Sequence, residues 1–155
     1  MAQQAEVNGV SSNIKDFDSL APSIQELVDV AIAVRENAYC PYSNFPVGAA
    51  IRTTDGKIYA GCNVENGAYG PTVCAERTAI SKAVSEGYTS FTEIAVVAFQ
   101  EHDFTSPCGM CRQFMSEFVS DDMPVYMARP SCTEVLCSSV CGLLPHRYIP
   151  THDKK

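Results

Sequence analysis

No apolar run in this sequence reaches the roughly 18 residues that a membrane-spanning helix needs. A helical membrane anchor is therefore not expected. The opening residues, Met1 to Leu20, are polar and mixed in charge, and they lack the apolar centre of a secretory signal. They read as a flexible N-terminal extension (1–20), and the chain as cytoplasmic. Basic residues are scarce too: 11 Lys and Arg face 18 Asp and Glu, for a net charge of -7. With no run of Lys or Arg, such a chain repels a phosphate backbone, so neither nucleic acid nor a membrane is an expected partner. Internal repeats and low-complexity tracts are absent as well. What remains fits one domain over 21–150, long enough to bury a core, with a short flexible tail at 151–155.

One residue type is abundant. Eight cysteines in 155 residues is a high count. A secreted disulfide framework is disfavoured by the missing signal and by the chain length. Cysteine in a cytosolic chain points instead to metal, catalysis or plain burial.

The punctuation of the chain predicts its elements. Ile24, Leu27, Ala31, Val34 and Ala38 form one stripe of a helix over 23–38, with Ser23 and Glu26 as a capping box. Cys40 to Pro46 is an irregular loop. Val47–Thr53 and Ile58–Cys62 flank Asp55-Gly56, a hairpin signal. A second helix is expected over 73–86, stopping at Gly87. Glu93–Phe99 reads as a buried strand. Ser106-Pro107 reads as the start of a third helix, with Ser as its cap. Pro124–Ala128 and Val135–Val140 are further strands. Strands alternating with helices imply an α/β fold, a three-layer α-β-α sandwich on a mixed sheet of about five strands. The last strands are expected to be parallel neighbours.

Two segments carry chemistry. Cys74-Ala75-Glu76 and Pro107-Cys108-Gly109-Met110-Cys111 each fall at a predicted helix start. There the helix dipole and free N–H groups favour thiolate over thiol. Three thiolates at two helix starts make a pocket suited to zinc, and three protein ligands rather than four leave a position for water, as in catalytic sites. Glu76 is the carboxylate placed to carry protons. On a regular helix, however, Cys74 and Glu76 point about 200° apart. Arg77 could donate to the thiolates or form a surface ion pair. Read alone, the Pro-Cys-x-x-Cys segment also fits a thiol redox site. A closed structural zinc site would recruit Cys62, Cys132 or His102.

Several further motifs narrow the choice. Cys40-Pro41-Tyr42-Ser43-Asn44-Phe45-Pro46-Val47-Gly48-Ala49-Ala50, Gly61-Cys62-Asn63-Val64-Glu65-Asn66 and Cys74-Ala75-Glu76-Arg77-Thr78-Ala79 precede the Pro-Cys-x-x-Cys in that order. Together they resemble the small homotetrameric zinc-dependent cytidine deaminases, over about Ser23 to Tyr148. The resemblance implies hydrolytic deamination of cytidine and deoxycytidine in pyrimidine salvage, with one Zn2+ per subunit on Cys74, Cys108 and Cys111. Hydroxide generated at the zinc would attack C4 while Glu76 shuttles the proton. By the same resemblance Phe45 stacks on the pyrimidine, and Asn63 and Glu65 bind the ribose 3′-hydroxyl. The Ala75 backbone holds the base edge with Glu76, and Arg77 tempers the thiolate charge. Tyr69 matches a position that reaches a neighbouring subunit's site. Tyr148 falls where the family usually has a Phe that closes over the base, and Gly67 replaces a usual Ala. An editing deaminase, a deaminase of another heterocycle and an inactive scaffold are the competing readings. The acidic balance, Asn63 with Glu65, and the filled zinc and carboxylate positions respectively weigh against them. Cys40, Cys62, Cys132, Cys137 and Cys141 read as buried small hydrophobes or free thiols.

Overall fold

Asp55-Gly56 closes a tight hairpin, as its sequence predicts: the Thr53 amide donates to the Lys57 carbonyl at 2.9 Å, and Gly56 takes φ +90°. The computed structural model of the chain describes residues 4–7, 10–119 and 121–149. Its strands are β1 (Gln4–Val7), β2 (Val10–Asp16), β3 (Val47–Thr53), β4 (Ile58–Cys62), β5 (Phe91–Ala98), β6 (Pro124–Ala128) and β7 (Glu134–Ser139). They form one sheet in the order β1-β2-β7-β6-β5-β3-β4. The helices are α1 (Pro22–Arg35), α2 (Ala75–Ser85), α3 (Gly109–Ser116) and the short α4 (Val140–Leu143). Among the described residues no helix is long and apolar enough to cross a membrane.

The sheet is mixed and lies between helical layers, as expected, but among the described residues it has seven strands rather than about five. The five anticipated strands are all there. The additional pair is β1–β2, inside the region expected to be a flexible extension. Asn13 to Asp16 of β2 pair antiparallel with Cys137 to Glu134 of β7, and the Phe17 amide bonds the Thr133 carbonyl at 3.1 Å. This stretch lacks a regular apolar alternation, so its strand character comes from completing the β7 edge rather than from its own pattern. The expected tail, 151–155, lies outside the described residues.

Side chains alternate across the sheet with period two. Ala49 and Ile51 of β3, Ile94 and Val96 of β5, and Val125 and Met127 of β6 pack under α2, α3 and α4. Ala50, Ala95, Val97 and Ala128 face α1, against Leu27, Val28 and Ala31. β5 reads as an unbroken apolar run because both of its faces are covered. Two glycines let the helices sit this close. A Cβ on Gly48 would stand 2.0 Å from the Ala31 carbonyl of α1. One on Gly61 would stand 2.4 Å from the Ala79 amide of α2.

Several element boundaries differ from expectation for physical reasons. α1 begins at Pro22 with Ala21 as its cap, so Ser23 lies inside the helix and the capping box does not form. Glu26 instead pairs with Arg52 of β3 at 3.1 Å. β5 and β6 are parallel, but β7 runs antiparallel to β6 because a short loop, 129–133, joins them without a crossover. α2 starts at Ala75 rather than Val73, since Val73 exchanges backbone hydrogen bonds with Val64 in an isolated antiparallel bridge. α3 starts at Gly109 with Cys108 as its cap, so Ser106 and Pro107 lie before the helix.

Replacing Gly61 by Ala drives a methyl into helix backbone that no rotamer change can relieve. The expected loss is about 1–3 kcal/mol in a urea denaturation of the full chain. An unchanged midpoint would contradict this packing.

Candidate active site

The two cap residues decide the geometry. Cys74 is the N-cap of α2, with φ -72° and ψ 155°, and Cys108 is the N-cap of α3, with φ -66° and ψ 165°. Both are extended, so neither thiol follows helical angles. This removes the 200° separation between Cys74 and Glu76 that a regular helix would impose. It also gives Cys111, in the first turn of α3, a neighbour at the cap rather than on the same helical face. The β5–β6 pair, with α2 and α3 packed on one side, brings the two helix starts together. The Sγ atoms of Cys74 and Cys108 lie 3.8 Å apart, and all three sulfurs fall within 4.8 Å of one another.

That spacing tests the donor set. A tetrahedral zinc with bonds of about 2.3 Å separates its sulfurs by about 3.8 Å. The three thiols therefore fit zinc. Among the described residues no other cysteine, histidine or carboxylate joins the group. Cys62 instead donates to the Asn37 carbonyl, and His102 is exposed beside Glu101, so the four-ligand structural alternative has no fourth ligand here. All eight cysteines are free, which leaves no disulfide framework.

Charge within the cluster is divided unequally. Hydrogen bonds from Cys111 foremost, then from Arg77 and Cys108, lower the Cys74 thiol to about 5 against its partial burial. Cys111 moves the other way, because its proton is held by Cys74 and its thiol is buried. Arg77 Nη2 lies 3.7 Å from Cys74 Sγ and donates to the Thr72 carbonyl at 3.1 Å, while its buried Nε has no protein partner. Arg77 is thus turned toward the thiols rather than into a surface ion pair. Glu76 is 4% exposed. Burial raises its carboxyl above the usual range and the Cys74 thiolate adds to the rise, while Cys111 and Arg77 oppose it. Ala75, the first residue of α2, is fully buried.

A second group of residues is laced to this cluster through the backbone. Val64 bridges Tyr39 on one side and Val73 on the other, with the Val64 and Val73 amides each donating at 2.9 Å. Asn63 and Glu65 flank Val64, and Cys74 follows Val73, so the bridge ties these candidates together. The buried Asn63 amide accepts from the Val47 N–H at 2.8 Å and donates to the Phe45 carbonyl at 2.9 Å. The Glu65 carboxylate accepts from the Tyr42 and Ser43 amides at 3.0 and 3.2 Å, and from the Ser43 hydroxyl. Those hydrogen bonds hold its pKa below the usual range, the Ser43 hydroxyl foremost. A pocket of ≈ 380 Å³ opens here, lined by Tyr42, Ser43, Glu65, Tyr69 and Thr72.

Not every candidate meets in one chain. Phe45, Asn63, Ala75 and Tyr148 do not line that pocket. Tyr69 and Tyr148 project outward at 77% and 73% exposure, and the Tyr148 backbone is held by Gln113 of α3 at 3.1 Å. Tyr42, Ser43 and Thr72 were given no role from sequence. Tyr42 and Ser43 sit inside a motif already singled out. Thr72 left no signal: Arg77 uses its carbonyl, and its hydroxyl accepts the Asn66 amide at 3.1 Å within the loop. Another cavity, ≈ 340 Å³ at Lys15, Tyr126 and Cys137, contains none of the candidates.

The chain is similar to known proteins over most of its length. Residues 22–127 match the cytidine and deoxycytidylate deaminase zinc-binding region. The chain is 55% identical to a cytidine deaminase of Sporosarcina psychrophila, over 79% of this chain and 88% of that protein. It is 48% identical to a probable cytidine deaminase of Dictyostelium discoideum, over 79% and 81%. The crystal structure of cytidine deaminase from Burkholderia pseudomallei superposes with a TM-score of 0.75 at 46% identity, covering 79% of this chain and 97% of that one. The chain belongs to the zinc-binding cytidine and deoxycytidylate deaminase family.

The metal-free protein should carry one thiolate from this cluster at neutral pH. Because Cys74 is depressed to about 5 from its usual 9.0, that thiolate persists as pH falls below the ordinary cysteine range and is lost near pH 5. Ultraviolet thiolate absorbance of the apoprotein measures it, and Cys74→Ser should remove it. No thiolate signal at neutral pH would contradict the arrangement.

Proposed function

We propose that the chain hydrolyses the exocyclic amino group of cytidine and deoxycytidine, giving uridine and deoxyuridine with release of ammonia, in pyrimidine salvage. The observation that carries this reading is one buried carboxyl, Glu76, set against three thiols at two helix caps. Cys74, Cys108 and Cys111 hold one zinc per subunit. When bound, the metal lowers the pKa of a coordinated water to about 7 and so supplies hydroxide at neutral pH.

The chain's own residues do the rest. Glu76 takes a proton from water and delivers it to N3 of the base as oxygen adds at C4. Glu76 then moves the proton of the new C4 hydroxyl to the amino group, the C4–N bond breaks as the C4 carbonyl forms, and ammonia departs. A carboxyl raised by burial suits this work, because it gives and takes a proton more evenly than an exposed one. The Ala75 backbone fixes the base edge beside Glu76, and Arg77 offsets the charge of the thiolates. Phe45 stacks on the pyrimidine, and Asn63 and Glu65 bind the ribose 3′-hydroxyl.

The deaminase domain spans 21–150, the enzyme works in the cytoplasm, and it assembles as a homotetramer with shared sites. Tyr69 and Tyr148 favour that assembly: both are large, largely exposed and near the site in sequence or through the backbone. Each completes the pocket of another subunit.

Glu76→Gln keeps the size and hydrogen-bonding shape of the side chain but removes the proton carrier. Zinc should stay bound and kcat on cytidine should fall by about 10²–10⁴-fold. A variant that keeps most of its activity would exclude this role. Across cytidine, deoxycytidine, cytidine monophosphate and free cytosine, an ultraviolet assay should show turnover of the two nucleosides. Preference for the nucleotide or the free base would overturn the substrate assignment. Dilution that dissociates the assembly should abolish turnover, whereas a fully active monomer would exclude shared sites.

A further inference from the structure

The Ser43 hydroxyl sits between two groups that the proposed function gives to the substrate. It accepts the Phe45 amide at 3.1 Å. That leaves its single proton for the Glu65 carboxylate, where it bonds Oε1. The Tyr42 and Ser43 amides occupy the other oxygen, Oε2, at 3.0 and 3.2 Å. The two carboxylate oxygens are therefore loaded differently. Oε2 receives two donors, and Oε1 receives one. A carboxylate oxygen offers about two lone-pair directions, so Oε1 keeps one acceptor direction in use by no described protein donor. Ser43 and Glu65 both line the ≈ 380 Å³ pocket.

We infer that Ser43 is a positioning residue for sugar recognition: its hydroxyl holds Glu65 Oε1 so that the remaining lone pair meets a hydroxyl on the 3′-carbon of the substrate's ribose. The inference rests on the reading of Glu65 as the ribose contact. It adds a residue that touches no substrate and sets specificity through its neighbour. Without the Ser43 hydroxyl the two amides still bind Oε2, but they form a hinge about which Oε1 can swing. The carboxylate then stays charged and near its place, with its directional bond to the sugar lost. The effect falls chiefly on substrates that carry the 3′-hydroxyl; the Phe45 amide also loses its acceptor, a smaller loss common to every pyrimidine substrate. A loop that had merely loosened would behave differently. Phe45 would shift as well, and every substrate with a pyrimidine would suffer equally.

Steady-state kinetics of the full chain on cytidine and 3′-deoxycytidine separate these cases. Ser43→Ala should raise KM for cytidine by about tenfold, the size of one lost hydrogen bond to a charged group. It should leave kcat little changed and raise KM for 3′-deoxycytidine far less than for cytidine. Ser43→Thr, which keeps the hydroxyl, should restore KM. An equal loss on both substrates, or no loss on either, would overturn the inference. Glu65→Gln supplies the control. If it erases discrimination between the two nucleosides while Ser43→Ala preserves it, the role of Ser43 fails alone. If Glu65→Gln also preserves discrimination, the ribose assignment fails with it.

Discussion

Two cysteines in extended conformation, each capping a helix, are the constraint on which the rest of the structure turns. An N-cap residue lies outside the helical turn but beside its free N–H groups. A thiol there can point across the gap between two helices rather than along one. Cys74 and Cys108 both take this position, and the packing of α2 and α3 on the β5–β6 pair sets their sulfurs 3.8 Å apart. Cys111 adds the third sulfur, Arg77 supplies the compensating charge, and Glu76 occupies the buried space beside them. Moving either cap by one residue would place its thiol on a helical face and dissolve the cluster.

The second constraint is the short ladder at Val64. It uses only backbone atoms, yet it joins the strand of sugar-site candidates to the residue preceding Cys74. Around it the side chains of Asn63 and Glu65 spend most of their hydrogen bonds on the loop from Tyr42 to Val47. Glu65 thus both braces the pocket wall and furnishes one of its polar groups, while Asn63 braces the loop from behind. Such economy makes the site sensitive to small changes: a substitution at Glu65 alters both the charge in the pocket and where Tyr42 and Ser43 stand.

Much of this was legible in the chain. The hairpin of β3 and β4 follows from Asp55-Gly56 between apolar runs, and β6 was readable to the residue. The layers followed from strands alternating with helices. What escaped has physical reasons. β2 carries no pattern of its own and becomes a strand by pairing with β7. The starts of α2 and α3 were each misplaced by two residues because the caps are cysteines, which no capping preference anticipates. The apparent conflict between Cys74 and Glu76 arose from treating a cap as part of its helix. The roles of Ser43 and Thr72 escaped for opposite reasons. One is a hydroxyl in a motif already crowded with assigned residues, and the other bonds only backbone and Arg77, through a carbonyl and a hydroxyl in a loop with no pattern of its own.

The central claim is a zinc site of three thiolates with one position left for water. X-ray absorption at the zinc edge of the purified protein tests it most directly. The account predicts one zinc per chain, bound by three sulfur scatterers and one oxygen, with a sulfur lost in each of Cys74→Ser, Cys108→Ser and Cys111→Ser that still binds metal. Four sulfurs around the metal would mark a closed structural site and contradict the account, as would zinc retained with its sulfur shell unchanged in those variants.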